Sequence, residues 1–234
     1  MLVLDAGNSL LNAGDPAVKT HGQTSVEAMN LMGYDAMALG SLDVSKLTPE
    51  QLRQRMQEAD FAMLSANVYD VTTQELLTKP YTVIEMAEHR VGILGLTDQG
   101  FSDYVAISDP VEAAEKGLPE LQAQADIIIV LSHAGLEIDQ EIAKRFSGID
   151  LIVTGRNVAM KEPYVSPDTG TVIVHADAPT PGNAGKNVGV ARLNFDESGN
   201  LIKHDWGKVV LNSDFDEDPE LLSWLKSLYA TLPK

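Results

Sequence analysis

Cysteine is absent from all 234 residues. That removes disulfides, thiolate nucleophiles and cysteine-based zinc sites from consideration. Positive charge is scarce: 17 Lys and Arg stand against 34 Asp and Glu, a formal net charge of −17. Nucleic acid and anionic lipid need cationic surfaces, so neither is expected as a partner. Long apolar runs are also missing. The longest, DIIIVLSHAGL, falls short of the roughly 20 residues that cross a bilayer, is interrupted by His133, and reads as a buried strand. No Gly-x-Gly-x-x-Gly or Walker pattern occurs, so nucleotide binding by those routes has no support. The opening MLVLDAGNSLL shows neither a charged leader nor a small-residue cleavage site. The expectation is therefore a cytoplasmic chain, or an internal piece with a start Met.

What is present is ordinary for a globular chain: 44% hydrophobic and 22% charged residues, enough for one large domain at residues 1–234 without requiring a second. Strands are expected at LVLDA (2–6), DAMALG (35–40), FAMLSA, DIIIVLS, IDLIVTG and TVIVHA. YTVIEMAEHRVGILGL reads as a hairpin with its break near Glu88 and His89, and VGVARLNFD and LIKHDWGKVVL as strands joined by a Glu-Ser-Gly-Asn turn. Thr24 and Glu27 have capping-box spacing ahead of one helix. Thr48-Pro49 starts another, and a third covers about 137–146. Gly117 and Pro119 predict two short helical pieces over 110–124. The acidic SDFDEDPE leads into a final amphipathic helix whose N-terminus favours negative charge. Met29, Met32 and Met37 read as packing residues. Helices alternating with strands early and antiparallel strands late predict an α/β domain with mixed sheets and helices outside.

In such folds ligands meet the loops at the carboxyl ends of strands. DAGNS at 5–9, LGSLD at 39–43, LSHAG at 131–135 and VTGRN at 153–157 supply Asn8, Ser41, Asp43, His133, Arg156 and Asn157. Asn8 after Gly reads first as a turn residue. His133 is either bonded to backbone carbonyls or half of an altered metal site. Arg156 holds a small anion through its guanidinium, or is solvated or ion-paired with Asp5 or Asp43. Asp43 reads as a capping or ion-pair residue, with metal binding the lesser alternative. The remaining histidines, His21, His89, His175 and His204, read as core or surface residues.

Five blocks carry a resemblance: GYDAMALGSLDV, ADFAMLSANVYD, VGILGLTD, ADIIIVLSHAGLEIDQEIAKRFSGIDLIVTG and GKNVGVARLNFDESGNLI. In order and approximate spacing, across nearly the whole chain, they resemble the 5′-nucleotidase family of calcineurin-like metallophosphoesterases. The resemblance implies a four-layer α/β/β/α sandwich of two mixed sheets, with a dinuclear metal centre at the strand ends. The two ions would activate water for attack on phosphorus. Matched motif by motif, the bridging Asp falls on Asn8, the ligand Asn on Ser41 and the neighbouring His on Leu42. Asp43 keeps its acidic character, and the ligand His is present as His133. The Gly-His-x-His motif falls on Gly155-Arg156-Asn157-Val158. An Asp-x-His pair on a first strand would precede residue 1, and no C-terminal nucleotide-binding domain is matched.

The expectation is thus a 5′-nucleotidase-like domain with its first strand missing and catalysis impaired, acting as a binding or interaction module. Arg156, Asn157 and Ser41 are its ligand candidates; His133, Asn8 and Asp43 are weak metal candidates, and no residue is assigned a catalytic role. No resident cofactor is expected. The alternative is a metal-dependent phosphoester hydrolase using Mn, Zn, Co or Mg, its site completed by an upstream segment or another subunit. The expected partners are a small anion or phosphoester, and a second copy or partner chain along the unfilled strand edge. The family resemblance alone suggests an extracytoplasmic location.

Overall fold

A computed structural model describes residues 1–11, 14–100, 102–156, 160, 162–176 and 186–231. In chain order the elements are β1 (Leu4–Asp5), α1 (Asp15–Lys19), α2 (Gln23–Leu31), β2 (Ala36–Ala38), α3 (Ser41–Lys46), α4 (Pro49–Glu58), β3 (Ala62–Leu64) and β4 (Val68–Asp70). There follow β5 (Tyr81–Met86), β6 (His89–Leu96), β7 (Val105–Ile107), α5 (Pro110–Gln122), β8 (Ile127–Ser132), α6 (Leu136–Arg145) and β9 (Leu151–Thr154). The chain continues through β10 (Tyr164–Val165), β11 (Val172–Val174), β12 (Asn187–Phe195), β13 (Leu201–Val210) and α7 (Pro219–Thr231).

Local chemistry accounts for most of the boundaries. α4 opens on a reciprocal box: Thr48 Oγ1 accepts from Gln51 N at 3.3 Å, and Gln51 Oε1 accepts from Thr48 N at 2.9 Å. Asp109 and Asp218 cap α5 and α7, each accepting two backbone N–H groups of the first turn. Two expectations fail. α2 begins at Gln23 after Gly22 in the left-handed conformation, so Thr24 lies inside the helix and does not cap it. The Arg55 guanidinium donates to the Thr20 and His21 carbonyls and fixes that turn two residues early. α5 is one continuous helix, not two pieces. Pro119 and Glu115 are both exposed, so the Glu115 carbonyl that loses its partner faces water. Gly117 lets the helix approach β6, where an added Cβ would stand 3.1 Å from Leu94.

Two sheets stack face to face. The smaller is wholly parallel among the described residues, in the order β1-β2-β3; the larger is mixed, β10-β11-β9-β8-β6-β5, with β5 and β10 antiparallel. Between them lie Ala36, Ala38, Leu64, Ile93, Ile129, Leu131 and Val174. The outer face of the small sheet packs Met37 and Leu39 against Val26, Met29 and Leu52 of α2 and α4. That of the large sheet packs Leu94, Val130 and Ile152 against Ala114, Leu118 and Ile142 of α5 and α6. This is the four-layer α/β/β/α sandwich. The β12–β13 hairpin adds Leu193, Phe195, Leu201 and Trp206 to the inter-sheet cluster. Met29 and Met37 are core residues as expected, whereas Met32, at the end of α2, is 46% exposed. Because β1 pairs with β2 alone, its outer edge carries no ladder partner among the described residues.

Arg55 is buried to 3% exposure and also donates to Glu58 Oε1 at 2.8 Å. Removing one member of a fully buried ion pair costs about 3–5 kcal/mol. Glu58 is about a third exposed, so Arg55→Ala is expected to cost about 2–3 kcal/mol, by the same principle with partial solvent screening. Urea denaturation checks this; a loss under about 0.5 kcal/mol, the scale of an ordinary surface change, would contradict it.

Candidate functional site

The carboxyl ends of β1, β2, β6, β8 and β9 converge, and the short loop after β1 is pressed between the others. Gly7 and Asn8 both have positive φ, 103° and 66°, and Asn is among the few non-glycine residues that take this conformation readily. The Asn8 side chain points at the neighbouring loop, where its Oδ1 accepts from Leu42 N at 2.8 Å. Asp43 answers in reverse, accepting from Asn8 N at 2.9 Å, Gly40 N at 3.0 Å and Leu10 N at 3.1 Å. Asn8 thus occupies a turn, and Asp43 binds the β1 loop to the start of α3. Burial pushes the Asp43 carboxyl up to about 7, against the pull of those three N–H donors, and nearby Asp5 adds to the rise.

The approach is so close that side chains would not fit. An added Cβ at Gly40 would overlap the Asn8 amide, and at Gly155 it would strike the Ala6 carbonyl and stand 2.6 Å from His133 Nδ1. His133, buried at the end of β8, bonds through Nδ1 to the Ala6 carbonyl at 2.8 Å. A carbonyl only accepts, so Nδ1 carries the proton and the lone pair sits on Nε2. Burial lowers the His133 pKa, outweighing the Ala6 bond and the charges of Asp98 and Asp5, while Arg156 lowers it further. The imidazole is therefore neutral at pH 7. Asp5 lies below, with Oδ1 accepting from Gly7 N and Oδ2 from Ser9 Oγ; desolvation raises its pKa.

Arg156, at φ 63°, extends over the loop after β8. Its Nη1 is 3.7 Å from Asp98 Oδ2 and 3.4 Å from the Ala134 carbonyl. Of the open alternatives, an ion pair with Asp5 or Asp43 is not made; the contact is with Asp98, and half of the Arg156 side chain stays exposed. Asp98 itself is buried, and its other oxygen accepts from Ser41 N at 3.0 Å. Ser41 thus reaches the site through its backbone, as the first residue of α3. Asn157 lies outside the described residues. His175 is a core residue, its Nδ1 donating to the Thr154 carbonyl at 2.7 Å.

Sequence reasoning compared four strand ends and left out the fifth, LTD at the end of β6, which supplies Asp98. It also missed the buried joint behind that loop. Asn67 donates to the Thr97 and Ser108 carbonyls and accepts from Thr97 N, while Thr97 Oγ1 donates to the Leu39 carbonyl. Ser65 Oγ bonds Thr97 Oγ1 at 2.8 Å. This satisfied network fixes the ends of β2, β3 and β6 relative to each other. A buried Asn shortly after a strand and a Thr before Asp98 were the signals available.

The arrangement can offer one imidazole lone pair and the oxygens of Asp5 and Asp98, the latter already engaged by N–H, O–H or guanidinium donors. Among the described residues no group of three or more His, Asp or Glu side chains is placed to hold a metal ion. Gly155→Ala is expected to push the β1 loop off His133, costing about 1–3 kcal/mol as overpacking does. It should also shift the His133 Nδ1 resonance in nitrogen-15 NMR. Unchanged stability and an unchanged resonance would contradict the close approach.

No family model matches the sequence. The chain is 28% identical to the 5′-nucleotidase of Bos taurus over 244 aligned residues, which cover 91% of this chain and 42% of that one. It spans less than half the length of that curated relative. The crystal structure of a 5′-nucleotidase precursor from Thermus thermophilus superposes with a TM-score of 0.78 at 27% identity, covering 98% of this chain and 49% of that one. A calcineurin-like phosphoesterase from Bacillus subtilis gives the same TM-score, 0.78, at 21% identity over 98% of this chain and 83% of the other. That likeness concerns the fold. Shared layers and alignment along nine-tenths of the sequence make the chain similar in sequence and fold to 5′-nucleotidase-type, calcineurin-like metallophosphoesterases and support that family.

Proposed function

We propose that residues 1–234 act as one metallophosphoesterase-like domain whose catalysis is impaired and whose strand-end cleft serves as a binding or interaction module. The observation that carries this reading is how the motif positions are used. Asn8 Oδ1 accepts from Leu42 N, both Asp43 oxygens accept backbone N–H groups, and His133 Nδ1 is held by Ala6. At Asn8 and Asp43, side chains that would face two cations in a working centre instead tie loops together, and only His133 keeps a free lone pair, on Nε2. Asn8 brings no negative charge to a bridging position, and unit charges at close range are worth several kcal/mol even at an effective dielectric of about 20. On this reading the described residues at the motif positions do not fit a two-metal centre.

What remains for a ligand is Arg156, whose side chain is 53% exposed. At 3.7 Å its contact with Asp98 leaves the guanidinium fork open to a small anion or phosphoester. Ser41 and Asn157 are the other proposed ligand residues. The expected result is no hydrolysis above blank on a phosphoester panel with Mn²⁺, Zn²⁺, Co²⁺ or Mg²⁺. Weak binding of inorganic phosphate should fall about ten- to a hundredfold in Arg156→Ala, as loss of a charge-assisted pair implies. Turnover that disappears in His133→Ala would overturn the reading.

A second reading is a metal-dependent hydrolase whose site is completed by an upstream segment or another subunit. Two observations favour it: His133 has its Nδ1 anchored and its Nε2 lone pair available, as in metal-bound imidazoles, and the outer edge of β1 is open to a further strand among the described residues. On this reading a second copy or partner chain docks at that edge. Sedimentation of the purified chain is expected to show a dimer or larger species that gains phosphoesterase activity with metal. An inactive monomer contradicts it.

A further inference from the structure

α6 carries a carboxyl that nothing in the site described above uses. Asp139, in the first turn of that helix, is fully buried, and neither of its oxygens has a hydrogen-bond partner. Its polar neighbours are the hydroxyls of Ser132 and Thr154. These are the last residues of β8 and β9 and are themselves buried, at 0% and 2% exposure. One residue beyond Ser132 is His133; two residues beyond Thr154 is Arg156.

The two strand ends are joined at several points around this carboxyl. Gly155 N donates to the Ser132 carbonyl at 2.6 Å, and Ser132 Oγ accepts from Ala134 N at 3.1 Å. The Thr154 carbonyl accepts from His175 Nδ1, and the Ala134 carbonyl lies 3.4 Å from Arg156 Nη1. Both loops that present His133 and Arg156 therefore rest on the two hydroxyl residues beside Asp139.

We propose that Asp139 is a positioning residue: a protonated carboxyl wedged between the ends of β8 and β9, whose proton holds the His133 loop and the Arg156 loop in register. The physical reason is the lack of a counter-charge. Among the described ion pairs, none includes Asp139. An ionised carboxylate in such a place is costly, whereas the acid form is tolerated and offers one donor and one acceptor to two adjacent hydroxyls. Loss of the proton leaves an acceptor-only charge, which draws both hydroxyls toward α6 and disturbs the turns that follow them.

The ionisable groups on the elements around it are few. α6 itself carries Glu137, Glu141, Lys144 and Arg145, and Arg145 pairs with Glu115 of α5. β11 is followed by His175, and the β8 and β9 loops hold His133 and Arg156. None of these charges shifts the Asp139 carboxyl. Burial is the largest cause and raises it from 3.8 to about 7, with the two hydroxyls pulling the other way.

The test needs no ligand, so its failure is separate from failure of the binding reading. Carbon-13 NMR of labelled Asp side chains in the full chain should show the Asp139 carboxyl titrating near 7. The amide resonances of Ala134 and Gly155 should move with the same midpoint. In Asp139→Asn, which keeps the shape and a donor but cannot ionise, that step in the two amides should vanish. Thermal stability gives a second measure. The folded state holds this proton more tightly than the unfolded state, so the contribution is complete below about 4 and lost as pH rises toward about 7. The Tm of Asp139→Asn should therefore gain on wild type across that window. A carboxyl titrating near its ordinary value of 3.8, or an Ala134 and Gly155 step that persists in Asp139→Asn, overturns the proposal. If the variant does not fold, the carboxyl titration of the wild-type chain decides by itself.

Discussion

The hydrogen bond between His133 and the Ala6 carbonyl spans 127 positions of sequence, and the geometry of the strand ends depends on it. It holds the loop after β1 against β8 while the bare backbones of Gly40 and Gly155 close on either side. Only glycine permits that spacing. Asn8 and Asp43 then complete the junction by exchanging hydrogen bonds across the two loops. The result is a well-satisfied polar joint, in a place where related folds present ligands. Most of its polar groups are committed to hydrogen-bond or charged partners, and that commitment explains why an acidic cleft with Asp5, Asp43 and Asp98 so close together is stable. N–H donors meet each carboxylate, and burial raises the proton affinity of Asp5 and Asp43.

The layered core follows from patterning that sequence makes plain. DIIIVLS and IDLIVTG are short apolar runs bounded by polar residues, and they become β8 and β9 at the centre of the large sheet. Thr48 and Pro49 announce α4 through chemistry local to four residues. Other features depend on distant partners. The Thr24 capping signal is real as a pattern, but Arg55, far along the chain on α4, fixes the preceding turn and starts α2 at Gln23. Whether Pro119 breaks α5 depends on which side of the helix faces water. β4, β7 and β10 have two or three residues each, too few for a period-2 pattern to register.

The site divides in the same way. The strand ends themselves were legible, since apolar runs terminate visibly, and four of the five loops were identified on that basis. Motif matching also named Asn8, Ser41, Asp43, His133 and Arg156, which lie on four of these loops. The direction in which each side chain points was not legible. Arg156 pairs with Asp98 because β6 and β9 end on the same side of the sheet, flanking β8, a relation that sequence spacing does not encode. Asp139 reads as an ordinary first-turn acid of α6 until packing shows it facing the strand ends rather than water.

If the motif positions serve loop cohesion rather than cation binding, the purified chain should hold no divalent ion tightly. The experiment is calorimetric titration of the metal-stripped chain with Mn²⁺ and Zn²⁺, paired with elemental analysis of the chain as isolated. Neither is expected to find a tightly bound ion. Two ions per chain held at micromolar affinity or better, and lost in His133→Ala, would mean that these side chains still serve a metal centre.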